Sequence, residues 1–108
     1  MAKIDAVFEL MVIIVNKGVA VEVVKIAREA GAQGGTILFG RGFGGQECGK
    51  IFGIPIEPEK EIVLVLIDSA KTEQLWETLQ KELSLGQLEK GIALLLEVKK
   101  VVGYLNRS

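Results

Sequence analysis

A glycine-rich stretch in the middle of the chain contains the residue types that could bind an anion. Eight glycines fall between positions 34 and 53 of a chain of 108 residues. Because glycine has no side chain, consecutive backbone N–H groups can surround a phosphate without obstruction. The composition of this stretch therefore suggests phosphate binding.

The spacing of the glycines matches the dinucleotide-binding motif only in part. Gly40, Gly42 and Gly45 satisfy G-x-G-x-x-G. That motif needs a helix to open directly after it, because the helix N-terminus holds the pyrophosphate. Pro55 and Pro58 follow instead. We therefore do not expect a dinucleotide site here.

The same stretch lacks the residues of the commonest catalytic and metal sites. After residues 44–50, GGQECGK, Ile51 stands where a Walker phosphate loop has the Ser or Thr that holds magnesium. Cys48 is the only cysteine and the chain has no histidine, so neither a thiol–imidazole pair nor a structural zinc set can form. We expect a protein that is not an enzyme, with no metal site and with Cys48 as an exposed loop thiol of undefined role.

Composition indicates a single domain, residues 1–108, outside the nucleic-acid-binding and membrane-spanning classes. The chain has thirteen Lys and Arg residues and fourteen Asp and Glu residues, and it has no basic tract that could bind the phosphate backbone of a nucleic acid. The apolar run 62–67 is far shorter than the roughly 20 residues that cross a bilayer. Since the N-terminus also lacks a signal-peptide pattern, we expect a cytoplasmic protein without membrane insertion.

Hydrophobic periodicity predicts four strands and two helices in the order β-α-β-β-α-β. Apolar, β-branched runs are typical of strands, and apolar residues every three or four positions are typical of helices. Gly31 would end the first helix in a left-handed conformation, and Ser69 would be the N-cap of the second. The predicted bounds are 7–15, 19–30, 36–39, 61–67, 69–83 and 92–98, with a short edge piece at 101–105.

This order predicts an α+β, ferredoxin-like sandwich, with a four-stranded antiparallel sheet and both helices on one face. The other sheet face would be open. In residues 62–67 the odd-numbered and even-numbered positions are all apolar, although only one set can lie under the helices. A large exposed apolar face marks an interface, so we expect an oligomer, with Val63 and Val65 facing its apolar centre.

The segment GAQGGTILFGRGFGGQ at 31–46, the strand EKEIVLVLID at 59–68 and the order of elements resemble the PII signal-transduction proteins and their PII-like relatives. The resemblance covers nearly the whole chain. It implies a homotrimer whose sheets face the central axis, with a T-loop at 40–60 and a B-loop at 84–91. It also implies an adenine nucleotide, and often a small anion such as 2-oxoglutarate or bicarbonate, bound in clefts between subunits.

In this family the T-loop engages or releases a target, commonly a membrane transporter or an enzyme. The resemblance therefore implies a regulator that binds an effector and controls a partner through the loop. It assigns binding of the effector to residues at the T-loop base and in the B-loop: Gly42, Phe43, Gly44 and Gln46, together with Gly86, Lys90 and Gly91.

The chain lacks several cations of the family pattern. Gly45 replaces a T-loop arginine, Ile92 replaces a lysine after the B-loop, and Gly103 and Leu105 replace two C-terminal arginines. Glu89 replaces a B-loop glycine. Because a triphosphate usually binds to several fixed cations, we expect AMP, ADP or bicarbonate rather than ATP.

The loop itself is expected to switch between two states, since its glycines raise the entropy that binding must overcome. Residues 42–46 would sense the effector, and 47–57 would present apolar residues to the target. The alternative is a β-hairpin that is fixed in every state. Two other functions stay open: a structural or metal-handling trimer that binds no nucleotide, and a phosphoryl-transfer enzyme.

Overall fold

The computed structural model describes residues 7–42, 49–51, 54–56, 59–85 and 91–103. Within these residues the chain forms six strands and two helices. Their bounds are β1 (Phe8–Asn16), α1 (Ala20–Glu29), β2 (Thr36–Arg41), β3 (Gly49–Ile51), β4 (Ile54–Ile56), β5 (Glu59–Asp68), α2 (Ser69–Leu85) and β6 (Ile92–Glu97).

Four of the strands form one sheet in the order β2-β5-β1-β6, and all of its neighbours are antiparallel. Both helices pack on the same face of this sheet, against β1 and β5. The ferredoxin-like βαββαβ fold expected from the sequence is thus confirmed. Strands β3 and β4 add a separate two-stranded sheet. The expected edge piece is not formed by residues 101–103, and its last two residues lie outside the described ranges.

The core lies between the helices and alternate residues of the two central strands. Met11 and Ile13 of β1 stand opposite Val65 and Val63 of β5, and all four are fully buried. The expectation that Val63 and Val65 face a neighbouring subunit is therefore wrong, because the register directs them under the helices. The helices contribute Ala20, Val23, Ile26, Ala27, Leu75 and Leu79 to the same core.

The opposite side of the sheet is apolar but carries no helix. Its residues on the central strands are half-buried, whereas Ile92, Leu94 and Leu96 of β6 are about half exposed, at 55%, 48% and 47%. We call this surface the open face. It consists of Leu10, Val12, Ile14, Leu38, Ile62, Leu64, Leu66, Ile92, Leu94 and Leu96.

The ends of the helices follow local chemistry. Helix α1 ends before Gly31, whose φ of +101° lies in the left-handed region that favours glycine. Helix α2 begins at Ser69, and the Asp68 carboxylate accepts a hydrogen bond from the Ala70 N–H at 2.9 Å. Asp68, rather than the expected Ser69, is thus the capping residue. Neither described helix is long and apolar enough to cross a membrane.

Candidate functional site

One end of the four-stranded sheet brings together the segments in which the sequence predicted ligand binding. Strands β1 and β2 end there, while β5 and β6 begin there. Gly42 directly follows β2, and Gly91 directly precedes β6. We call this region the loop end of the sheet; its described residues are Asn16, Lys17, Gly18, Arg41, Gly42, Glu59, Lys60, Glu61 and Gly91.

Gly42 and Gly91 lie at the same end of the sheet but on opposite edges of it. Strands β5 and β1 run between the strands that carry them. Three strand spacings amount to about 14 Å, so one phosphate group cannot contact both glycines of a single chain. The other predicted binding residues, Phe43, Gly44, Gln46, Gly86 and Lys90, lie outside the described residues.

The backbone around Gly42 is open toward the described part of the chain. A Cβ added there would meet no atom of the described residues within 4 Å, and the residue is not among the described glycines with positive φ. Among the described residues, neither packing nor backbone strain therefore requires glycine at this position. Open space around a backbone N–H is what close approach of an anion needs.

A carboxylate at the loop end caps helix α1, and the sequence pattern did not predict this. Glu61 Oε1 accepts hydrogen bonds from the N–H groups of Gly18 and Ala20, both at 2.9 Å. Val19 occupies the N-cap position and its side chain makes no capping hydrogen bond. The signals in the sequence were an apolar residue where Ser, Thr, Asp or Asn is usual, and a glutamate in an apolar strand.

Two lysines of the loop end are each engaged with a neighbouring side chain. Lys60 is 9% exposed, and its Nζ donates to Asn16 Oδ1 at 2.6 Å. Lys17 Nζ lies 2.9 Å from Glu59 Oε2, and the Lys17 N–H donates to the Glu59 carbonyl oxygen at 3.3 Å. These contacts fasten the β1–α1 turn to the start of β5.

The Lys17–Glu59 pair changes the acidity of both groups. The hydrogen bond from Lys17 and its positive charge lower the pKa of the Glu59 carboxyl, and Arg41 adds a smaller effect in the same direction. The hydrogen bond and charge of Glu59 raise the pKa of Lys17. Both side chains are more than half exposed, so this is a solvated pair of small energetic weight.

The described part of the loop end therefore offers an anion the exposed Arg41 and open backbone beside it. The same part of the chain contains no group of three His, Cys, Asp or Glu residues placed to hold a metal ion. The arrangement can bind a small anion, but two of its three described cations already contact neighbouring side chains.

Part of the predicted T-loop is a hairpin. Gly49 pairs with Ile56, Lys50 with Pro55, and Ile51 with Ile54. Residues 49–51 and 54–56 therefore have the backbone structure of a β-hairpin, as in the alternative to a switching loop. Whether it persists in every state stays a prediction.

No protein-family model matches the sequence, and no curated protein matches it. Solved structures do match the fold. One, from Thermus thermophilus, is described as a PII-like signaling protein; it has a TM-score of 0.64 and 18% identity over 86% of this chain and 87% of that one. CutA from Synechococcus elongatus has a TM-score of 0.60 and 19% identity over 86% and 78%. At such low identity these similarities establish the fold alone.

Proposed function

We propose that this chain, which has the fold of PII-like proteins, is a trimeric regulator. It binds a small anionic effector between subunits and controls a partner, a membrane transporter, through its glycine-rich loop at 40–60. The observation that carries the proposal is the placement of Gly42 and Gly91 at one end of the sheet but on opposite edges. A site that uses both glycines needs two chains.

The open face supports assembly. Its outer residues are about half exposed, and on β2 the other side of the strand also exposes Ile37 at 39% and Phe39 at 75%. Both edge strands of one subunit thus present apolar residues to water, which favours covering them with another copy.

Strand direction supports a closed ring of copies. Because four antiparallel strands alternate in direction, β2 and β6 run oppositely. Copies that meet edge to edge, with β2 of one beside β6 of the next, continue this alternation around a central axis. In such a ring the open faces turn inward, and Gly42 of one copy approaches Gly91 of the next.

The described charges favour a small effector. Lys17 contacts Glu59 and Lys60 contacts Asn16, so Arg41 is the exposed cation beside Gly42. Lys90 would supply a second cation from the neighbouring chain. Two cations suit AMP, ADP or bicarbonate better than ATP.

Calorimetric titration with AMP, ADP, ATP and bicarbonate tests the effector site. We expect Arg41→Ala and Lys90→Ala each to weaken binding by about 10- to 150-fold, because hydrogen bonds to charged groups contribute about 1.5–3 kcal/mol. Lys99→Ala is the matched control, since Lys99 is exposed and follows the opposite end of β6. Tight ATP binding that is unaffected by Lys90→Ala would contradict the charge assignment.

Two other outcomes of this titration would favour a different function. If none of the four compounds binds, the structural or metal-handling trimer becomes the better interpretation. If a nucleotide is consumed, product analysis by chromatography would identify a phosphoryl-transfer enzyme instead.

Control of a partner requires the loop to respond to the effector. Hydrogen exchange of residues 42–58, measured with and without the effector, tests this response. Protection that appears only with the effector or the partner supports a switch. Equal protection in both conditions would mean that the hairpin is fixed and that the loop transmits no signal.

A further inference from the structure

The start of β5 is bonded to the β1–α1 turn at three consecutive residues. Glu59 pairs with Lys17, Lys60 donates to Asn16, and the Glu61 carboxylate accepts from two amides of the turn. This junction links segments more than 40 positions apart in the sequence. The geometry of this junction therefore depends on the position of the first three residues of β5.

Glu61 is the member of this junction on which helix α1 depends. A helix leaves its first four N–H groups without partners inside the helix. The Glu61 carboxylate accepts a hydrogen bond from the Ala20 N–H, at the first helical position, and another from the Gly18 N–H of the turn. Gly18 has a φ of +91°, in the left-handed region that favours glycine. Val19 has no side-chain oxygen to replace the Glu61 carboxylate.

The first turn of α1 is also part of the core. Ala20 is 2% exposed and Val23 is fully buried. A change in the N-terminal turn therefore reaches residues packed against the sheet.

The hairpin β3–β4 enters β5 through only two intervening residues, 57 and 58. We propose that Glu61 is a positioning residue that couples this hairpin to helix α1. When a change in the hairpin shifts residues 59–61, the carboxylate leaves the two amides and the first turn of α1 loosens. This coupling goes beyond the proposed function, because it requires no effector and no partner.

Amide hydrogen exchange, measured by NMR on the full chain, tests the capping step. In Glu61→Ala we expect exchange at Gly18 and Ala20 to accelerate about fivefold, the effect of losing a typical cap. Glu61→Gln retains an oxygen at the same place and should stay near the wild-type rate. Glu77→Ala, an exposed helical glutamate, is the matched control. Unchanged exchange in Glu61→Ala would overturn the proposal.

A double-mutant cycle tests coupling separately from capping. Ile51→Pro disrupts the hairpin, because proline has no amide hydrogen for a strand pair. We expect it to accelerate exchange at Gly18 and Ala20 when Glu61 is present, and to add nothing when Glu61 is absent. A structural cap alone would leave these amides unaffected by Ile51→Pro, and that result would overturn the coupling. If Glu61→Ala does not fold, Glu61→Leu, which has no oxygen to accept from these amides, takes its place in the cycle.

Discussion

Replacing Leu94 by Asp should separate the subunits while leaving each one folded. Leu94 lies on the open face in the edge strand β6, opposite Val12, and is 48% exposed in the single subunit. A carboxylate there remains in water in the monomer. It would lose that water if the open face turned toward other subunits, as proposed.

The magnitude follows from the exposure of the residue. Full burial of a leucine side chain contributes about 1.5–3 kcal/mol, so covering the exposed half of Leu94 contributes about 1 kcal/mol. Placing a carboxylate in the covered position adds a cost of about 3 kcal/mol, even after water rearranges around it. The sum of about 4 kcal/mol per subunit corresponds to a roughly 1,000-fold weaker association.

Sedimentation equilibrium at micromolar concentration measures the effect, with circular dichroism to verify the fold. We expect a trimer for the wild type and a folded monomer for Leu94→Asp. Val21→Asp is the control, because Val21 is 76% exposed on helix α1, on the other side of the sheet, and should leave the assembly intact. A monomeric wild type, or a Leu94→Asp variant that assembles like the wild type, would refute the reasoning.

Three further perturbations separate core, turn and surface contributions. Val63→Asp should unfold the subunit rather than dissociate it, because Val63 is fully buried under the helices; a folded variant in circular dichroism would contradict this. Gly31→Ala should lower the free energy of unfolding in urea by about 1 kcal/mol, because φ is +101° and the new Cβ would lie 3.0 Å from Lys71 Cδ. The Lys17–Glu59 pair should stabilise the fold only while both groups are charged. Its contribution is lost as pH falls through the pKa of Glu59, which is lowered below 4.5. It is also lost as pH rises through the pKa of Lys17, which is raised above 10.5. Urea unfolding of the wild type and Lys17→Gln should therefore differ slightly at pH 7 and converge at low pH, and a difference that persists there would exclude the pair as its cause.

Local pattern was sufficient to predict the order of elements. The β-branched runs became strands, and Gly31 ended α1 as expected, because these features depend on neighbours within a few residues. The order βαββαβ then restricted the sheet to very few topologies. The strand bounds differ from the predicted ones by at most two residues, as at the end of β2, which runs to Arg41, and at the start of β5, which begins at Glu59.

Less of the candidate site than of the fold could be predicted from the sequence. The spacing of the glycines indicated a functional loop at residues 40–60. It did not predict that β3 pairs with β4 within this loop. The hydrogen bonds that the Gly18 and Ala20 N–H groups donate to the Glu61 carboxylate span more than 40 positions. Such a contact exists only once β5 lies beside β1.

The sequence by itself determined the class of fold, the apolar character of both sheet faces and the small number of cations near the glycine loop. The tertiary structure decided which face is the core: the register that pairs Met11 with Val65 turns Val63 and Val65 under the helices and leaves Leu64 and Leu94 on the open face. In strands that are apolar at every position, alternation carries no information about direction, because either set of side chains could be buried at the same gain in free energy. Only the packing of both helices on one side of the sheet makes the two faces different.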